Sequence, residues 1–189
     1  MLHQSHAFQN NLTHPLSNPN SIVINVLEGK DILIRLVNTY NPPNLKPPHP
    51  IITPPDHRRT TLIYLTDHDI DERYPTVIVR DFNTHAKQWS LPGATFSLWA
   101  TRLCDWIDNH GFSLLNLLLT PTRRATRDDE HDSVLDLIFT NEAALWIGHV
   151  GLVEISEVES LGSDHAALLF SILPSDHPSH IPSPSPAGY

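Results

Sequence analysis

Five polar side chains stand within or beside apolar runs of this chain, and their types suit work on a phosphate or a hard cation. Asp81 and Asn83 close the β-branched run that begins at Thr76. Side chains of an extended strand alternate between faces. Val77, Val79, Asp81 and Asn83 therefore share one face, and Ile78, Arg80 and Phe82 share the other. A carboxylate and an amide then lie side by side at the C-terminal end of a strand, where α/β proteins usually place ligands. The same two residues equally fit a strand closing in an Asx-type turn. Asp136 sits inside the apolar stretch 133–140. A charge there is costly unless it has a partner, and an imidazole is a natural one. Asp164 and His165, in the turn that follows Gly162, could supply it; backbone amides at the strand end are the alternative.

Much other chemistry is excluded. The 13 histidines form none of the pairs typical of zinc ligands, and no Gly-rich phosphate loop, Gly-x-Ser-x-Gly elbow or paired-cysteine motif is present. The oxygen-rich set Asp81, Asn83, Asp136 and Asp164, with His165, suits a hard cation such as Mg²⁺. The single cysteine, Cys104, lies in an apolar helical pattern and reads as a small buried hydrophobe. The first residues lack the basic start and apolar stretch of a secretory signal. No run reaches the roughly 20 apolar residues of a membrane helix; the longest, 114–119, is broken by Asn116. A formal charge of −9 argues against broad electrostatic capture of nucleic acid. Arg123, Arg124 and Arg127 form one local basic cluster, followed at once by Asp128, Asp129 and Glu130. That loop reads either as a solvated mixture of charges or as a contact for a phosphate backbone.

The elements that must position these groups follow from periodicity. Residues 1–20 are polar and aperiodic and read as loose. Residues 21–27 and 31–40 are strand-like runs around Glu28-Gly29-Lys30, a hairpin signal. Seven of the 17 prolines fall between Pro42 and Pro55, which predicts an irregular loop before a modest helix over 56–65 capped by Asp56. The stripe Leu98, Trp99, Arg102, Leu103, Trp106 and Ile107 predicts a helix over 97–110 stopped by Gly111, with both tryptophans in the core. Strands are expected over 112–118, 133–140, 146–155 and 166–173, with a short helix near 141–145. From Pro174 onward five prolines alternate with serine and histidine, the composition of a disordered tail.

The ordered strings Tyr40-Asn41-Pro42-Pro43, Asp81-Phe82-Asn83-Thr84-His85 with Trp89, Pro121-Thr122-Arg123, Ser133 to Asp136, and Ser163-Asp164-His165 resemble those of the endonuclease/exonuclease/phosphatase family. The likeness is greatest to the endonuclease domain of LINE-type (non-LTR) retrotransposons, and it spans about residues 20–173. It implies an α/β (α+β) fold, a four-layer sandwich of two mostly antiparallel sheets flanked by helices. The domain would occupy 21–173, between a loose segment at 1–20 and the tail at 174–189. The resemblance further implies Mg²⁺-dependent phosphodiester hydrolysis, with Mn²⁺ as the alternative ion. Asp81 would orient or activate the attacking water, and Asn83 would hold the scissile phosphate. His165, oriented by Asp136, would contact that phosphate, and Asp164 would serve the metal. Tyr40, Thr122, Arg123 and Ser163 would contact substrate. His85 matches the motif without an assigned role. Duplex DNA is the implied partner, with a reverse transcriptase domain in the full-length parent and no membrane. The implied location is intracellular, and nuclear if chromosomal DNA is the target.

Two departures from the family pattern stand out. The family opens with a strand carrying an asparagine and a second carrying a metal-binding glutamate, and this chain is expected to start after both. Its only glutamate before Glu72 is Glu28, better suited to a hairpin tip. Arg80 stands where the motif has glycine, and alternation points it into the packing beneath the sheet. The expected function is thus a DNA endonuclease domain truncated at its N-terminus. A non-catalytic remnant and a phosphatase of the same family are the alternatives.

Overall fold

A computed structural model describes residues 6–10, 21–28, 30–40, 70–97, 100–146, 150–151 and 153–172, of which 6–10, 21, 28 and 40 are described by backbone only. The predicted proline-rich loop, the helix at 56–65, the tail from 174, and Leu98 and Trp99 all lie outside these residues.

Ser21–Glu28 (β2) and Asp31–Tyr40 (β3) form the expected antiparallel hairpin, with an irregularity between Val26 and Leu27. His6–Asn10 (β1) pairs antiparallel with β2. This corrects the reading of 1–20 as loose at residues 6–10: β2 offers a ladder edge, and the backbone of β1 completes it. Thr76–Asp81 (β4) lies parallel to β3 and antiparallel to Asp136–Asn141 (β6), and Phe112–Leu114 (β5) forms the edge. Among the described residues the order β1-β2-β3-β4-β6-β5 makes one mostly antiparallel six-stranded sheet. Glu154–Ser156 (β7) and Ala167–Leu169 (β8) make a second, two-stranded antiparallel sheet. Together with the helices this is the expected mixed α/β architecture.

Alternation divides the large sheet between two apolar layers. Val23, Val37, Ile78, Leu137 and Phe139 face the helix Ala100–Asn109 (α1), which buries Leu103, Cys104, Trp106 and Ile107 as its period requires. Phe82 and Trp89 pack edge-on against Phe139 in that layer, at centroid distances of 5.4 and 6.1 Å. Gly111, with φ of +61°, ends α1 in the left-handed conformation that glycine adopts without penalty. On the other face Val26, Ile34, Val77 and Ile138 meet Val153, with Leu168 and Phe170 of the β8 segment, and Ala144 of the short helix Glu142–Trp146 (α2).

Several predicted strands are shorter than their apolar runs. β5 ends at Leu114, because the Asn116 amide takes over the β6 backbone there: its Nδ2 donates to Asp136 O at 2.9 Å and its Oδ1 accepts from Ile138 N at 2.8 Å. Leu117, Leu118 and Leu119 consequently leave the sheet and are exposed. Residue 146 ends α2 rather than opening a strand, and β7 begins only at Glu154.

Arg80 points into the helix-side layer, as alternation predicts, and is 2% exposed. Its guanidinium donates from Nε to Asp81 O and from Nη1 to Thr39 Oγ1, both at 2.9 Å. It also lies 5.3 Å from the centre of the Phe82 ring. The buried charge is thus paired with polar and π partners.

Candidate active site

The register of β4 on β6 sets Asp81 directly opposite Asp136. Asp81 follows Val77 by four residues and Asp136 precedes Ile138 by two, so both carboxylates share the face that carries the two-stranded sheet. Tyr40 extends the same row, paired in register with Asp81 across the parallel β3–β4 ladder. Two acids thus meet where one strand ends and its neighbour begins.

Asn83 reaches Asp81 by a turn rather than by strand alternation, since β4 ends at Asp81. Its φ of +45° lies in the left-handed region that asparagine tolerates better than most residues. In that conformation its backbone N donates to Asp81 Oδ1 at 3.0 Å and its Nδ2 to Asp81 Oδ2 at 2.8 Å. The Asx-type turn and the pairing of carboxylate with amide are one and the same feature. The buried Trp89 clamps the loop beyond it, donating from Nε1 to Thr84 O at 2.9 Å. Burial pushes the Asp81 carboxyl above the usual carboxylate range, against the opposing pull of the Asn83 hydrogen bonds.

Asp136 has the imidazole partner that its apolar surroundings call for. His165 Nδ1 lies 2.8 Å from Asp136 Oδ2. With a carboxylate accepting, Nδ1 carries the proton. Burial raises the Asp136 carboxyl, and the His165 hydrogen bond opposes that shift. The Asp136 backbone is held from both sides. Thr122, 1% exposed, accepts on its Oγ1 from the N–H groups of Leu135 and Asp136, each at 2.9 Å, while Asn116 holds the Asp136 carbonyl. Sequence reasoning gave Asn116 no role beyond interrupting an apolar run; a lone amide among five leucines was the signal available.

Asp81, Asp136 and His165 bring one ligand atom each to within 4.8 Å of one another. Asp164 stands apart from that group. Its carboxylate accepts from Arg123 Nε at 3.1 Å, and Arg123 Nη2 also meets Glu130 at 3.2 Å. An isolated antiparallel bridge sets Arg123 beside His165, and Asp164 is the residue just before that imidazole. Ser163 accepts on Oγ from His165 N at 3.1 Å and so shapes the turn that presents the imidazole. The side chains of Tyr40 and Glu28 lie outside the described residues. His85, whose N–H meets Ser97 Oγ at 3.1 Å, is half-buried, and burial lowers its imidazole pKa. A cleft of about 620 Å³ opens beside the group, lined by His165, Thr122, Arg124, Glu157 and Asp164 among others.

A profile of the family described as endonuclease-reverse transcriptase matches residues 34–169. No curated protein sequence matches. Among solved structures, the endonuclease domain of TRAS1, a telomere-specific non-LTR retrotransposon, superposes with a TM-score of 0.65 at 19% identity, covering 88% of this chain and 68% of that one. The 3′-5′ exonuclease NExo from Neisseria meningitidis gives 0.58 at 18% identity over 89% of this chain and 71% of that one. A structure of the 3′ phosphatase NExo from Neisseria bound to a product DNA hairpin gives 0.58 at 17% identity, covering 89% and 70%. At these identities the likeness is one of fold. Family and fold agree with the resemblance read from the motifs.

Proposed function

The chain belongs to the endonuclease-reverse transcriptase family, and from that premise we propose a metal-dependent hydrolase that cuts phosphodiester bonds in duplex DNA, centred on Asp81, Asp136 and His165. The observation that carries this reading is the convergence of those three side chains to within 4.8 Å from positions far apart in the chain. Half-buried carboxyls with raised pKa beside an imidazole and an open cleft are costly to assemble for stability alone.

The two carboxylates are oxygen donors of the kind a hard divalent cation takes, so they fit Mg²⁺ or Mn²⁺. Asp81 and Asp136 would hold the ion, which when bound supplies positive charge to phosphate oxygens. Asp81 orients the attacking water and takes its proton, a task favoured by a carboxyl that burial has made more basic. The water oxygen bonds to phosphorus as the bond from phosphorus to the leaving sugar oxygen breaks. Asn83 keeps Asp81 aimed through its two hydrogen bonds. In its protonated form His165 donates from Nδ1 to Asp136 and from Nε2 to a phosphate oxygen. Arg123 and Asp164 satisfy each other and brace the turn that carries His165. A reverse transcriptase domain in the parent polypeptide is the partner that the family's description suggests.

Nicking of supercoiled plasmid with Mg²⁺, Mn²⁺ or EDTA tests the reading, beside Asp136→Asn and a 3′-phosphorylated oligonucleotide. Metal-dependent nicking that Asp136→Asn loses is the expected result. Release of phosphate from the oligonucleotide without nicking would make the protein a phosphatase. Neither activity, with DNA still bound, would make it a non-catalytic binding domain.

A further inference from the structure

The cleft beside His165 has a feature that hydrolysis alone does not call for. Among the described residues that line it, Arg124 is the only lysine or arginine, against Asp132, Glu157 and Asp164. Its position is fixed at the backbone, where Arg124 N donates to Asp164 O at 2.8 Å, next to the imidazole-bearing residue. Its guanidinium forms an ion pair with Glu157, which belongs to the connection between β7 and β8. The pair therefore joins two loops that line the same cleft.

The other arginines of this loop are committed differently. Arg123 is 22% exposed and divided between Asp164 and Glu130, and Arg127 is bound to Glu130 within its own loop. Both side chains of the Arg124 pair are 61% exposed; the other pair of this loop exposed to that degree, Arg127 with Asp129, does not line the cleft. Ion pairs so exposed are weak and exchange readily for another anion. Glu157 is also free to yield locally. It precedes the 3₁₀ turn Val158–Ser160, and its side chain makes no capping hydrogen bond. The turn is held instead by its carbonyl, which accepts from Ser160 Oγ at 2.6 Å. The carboxylate can move while the backbone stays.

We propose that Arg124 is a phosphate-binding residue for the nucleic-acid strand entering this cleft, and that Glu157 is an internal anion that occupies it until a backbone phosphate displaces the carboxylate. Arginine's planar fork matches a phosphate as it matches a carboxylate, so one anion can replace the other in the same geometry. The inference rests on the DNA-hydrolase reading and adds to it a regulated subsite: binding is weakened by a competitor built into the chain. That weakening would favour exchange between sites over tight non-specific retention.

The test is duplex DNA binding in EDTA, with the full chain, for the wild type, Glu157→Gln, Arg124→Gln and the double variant. Each variant's fold is checked by thermal melting. Freeing the arginine from an exposed ion pair should tighten binding roughly 2- to 5-fold. It should also steepen the dependence of log K on log salt by up to about one unit. In the Arg124→Gln background, Glu157→Gln should change affinity little. An equal gain in both backgrounds would reduce Glu157 to a general negative charge and overturn the proposal. So would unchanged affinity of Glu157→Gln alongside a wild type that binds DNA. Failure of both proteins to bind DNA at low salt would overturn the DNA reading itself, and this inference with it. Inorganic phosphate as competitor identifies the ligand: displacement of DNA at millimolar phosphate would mean that free phosphate, not the polymer, is what Arg124 selects.

Discussion

His165 Nδ1 lies 2.8 Å from the carboxylate of Asp136, across a separation of 29 residues. A strand end supplies the acid and the turn before β8 supplies the imidazole. If their joint action is catalytic, His165→Ala and Asp136→Asn should each lower plasmid nicking by about 10²- to 10⁴-fold, the usual contribution of a positioned acid–base group. Because the two act as a unit, the double variant should lose little more than either single one. Nicking rates of the four proteins at saturating metal check this.

The support beneath Asp136 makes a separate prediction. Thr122 Oγ1 accepts two backbone N–H groups and is almost fully buried. Thr122→Val keeps the shape and leaves both donors unsatisfied, at a cost of about 1–3 kcal/mol for each such group. Chemical denaturation should show a fall of that order. Thr122→Ser should restore most of it, because the hydroxyl returns.

Parts of this arrangement were legible in the sequence for physical reasons. A charge in the middle of 133–140 demanded a partner, and few residues near a strand end could provide one. The hairpin, β4 and α1 each carry a strong local period, and alternation alone placed Arg80 beneath the sheet. What escaped depended on distant backbone. β1 has no apolar period of its own and exists because β2 offers it an edge. Asn116 matters through two hydrogen bonds to β6 that no local pattern encodes. The three arginines read either as part of a solvated mixture of charges or as a contact for a phosphate backbone; each holds an acidic partner that the local pattern does not assign, and Asp164 pairs with Arg123 outside the group of Asp81, Asp136 and His165.

Arg80 offers a direct comparison of a buried charge with its contacts. Glycine at this position would remove the bonds to Asp81 O and Thr39 Oγ1 and leave a cavity over Phe82. Arg80→Gly should therefore lower the melting temperature, with a loss of about 2–5 kcal/mol typical of large-to-small core changes. A rise would mean that desolvating the guanidinium costs more than those contacts return.

Glu130 gives the loop near the site a pH signature. Its hydrogen bond from Arg127, together with Thr126 N–H and Arg123, holds the carboxyl down at about 2, from an ordinary value of 4.5. A carboxyl lowered on folding stabilises the fold above its unfolded pKa, and that contribution disappears as pH falls through the folded one. Glu130→Gln should therefore melt below the wild type at neutral pH. The gap should begin to close near pH 4.5 and vanish only as the pH falls below about 2. Because Arg123 bridges Glu130 and Asp164, the same variant should also loosen the turn carrying His165. Hydrogen exchange at Ala166 N–H, which donates to Thr122 O at 2.8 Å, would register that loosening as faster exchange. Unchanged exchange would confine the role of Glu130 to its own loop.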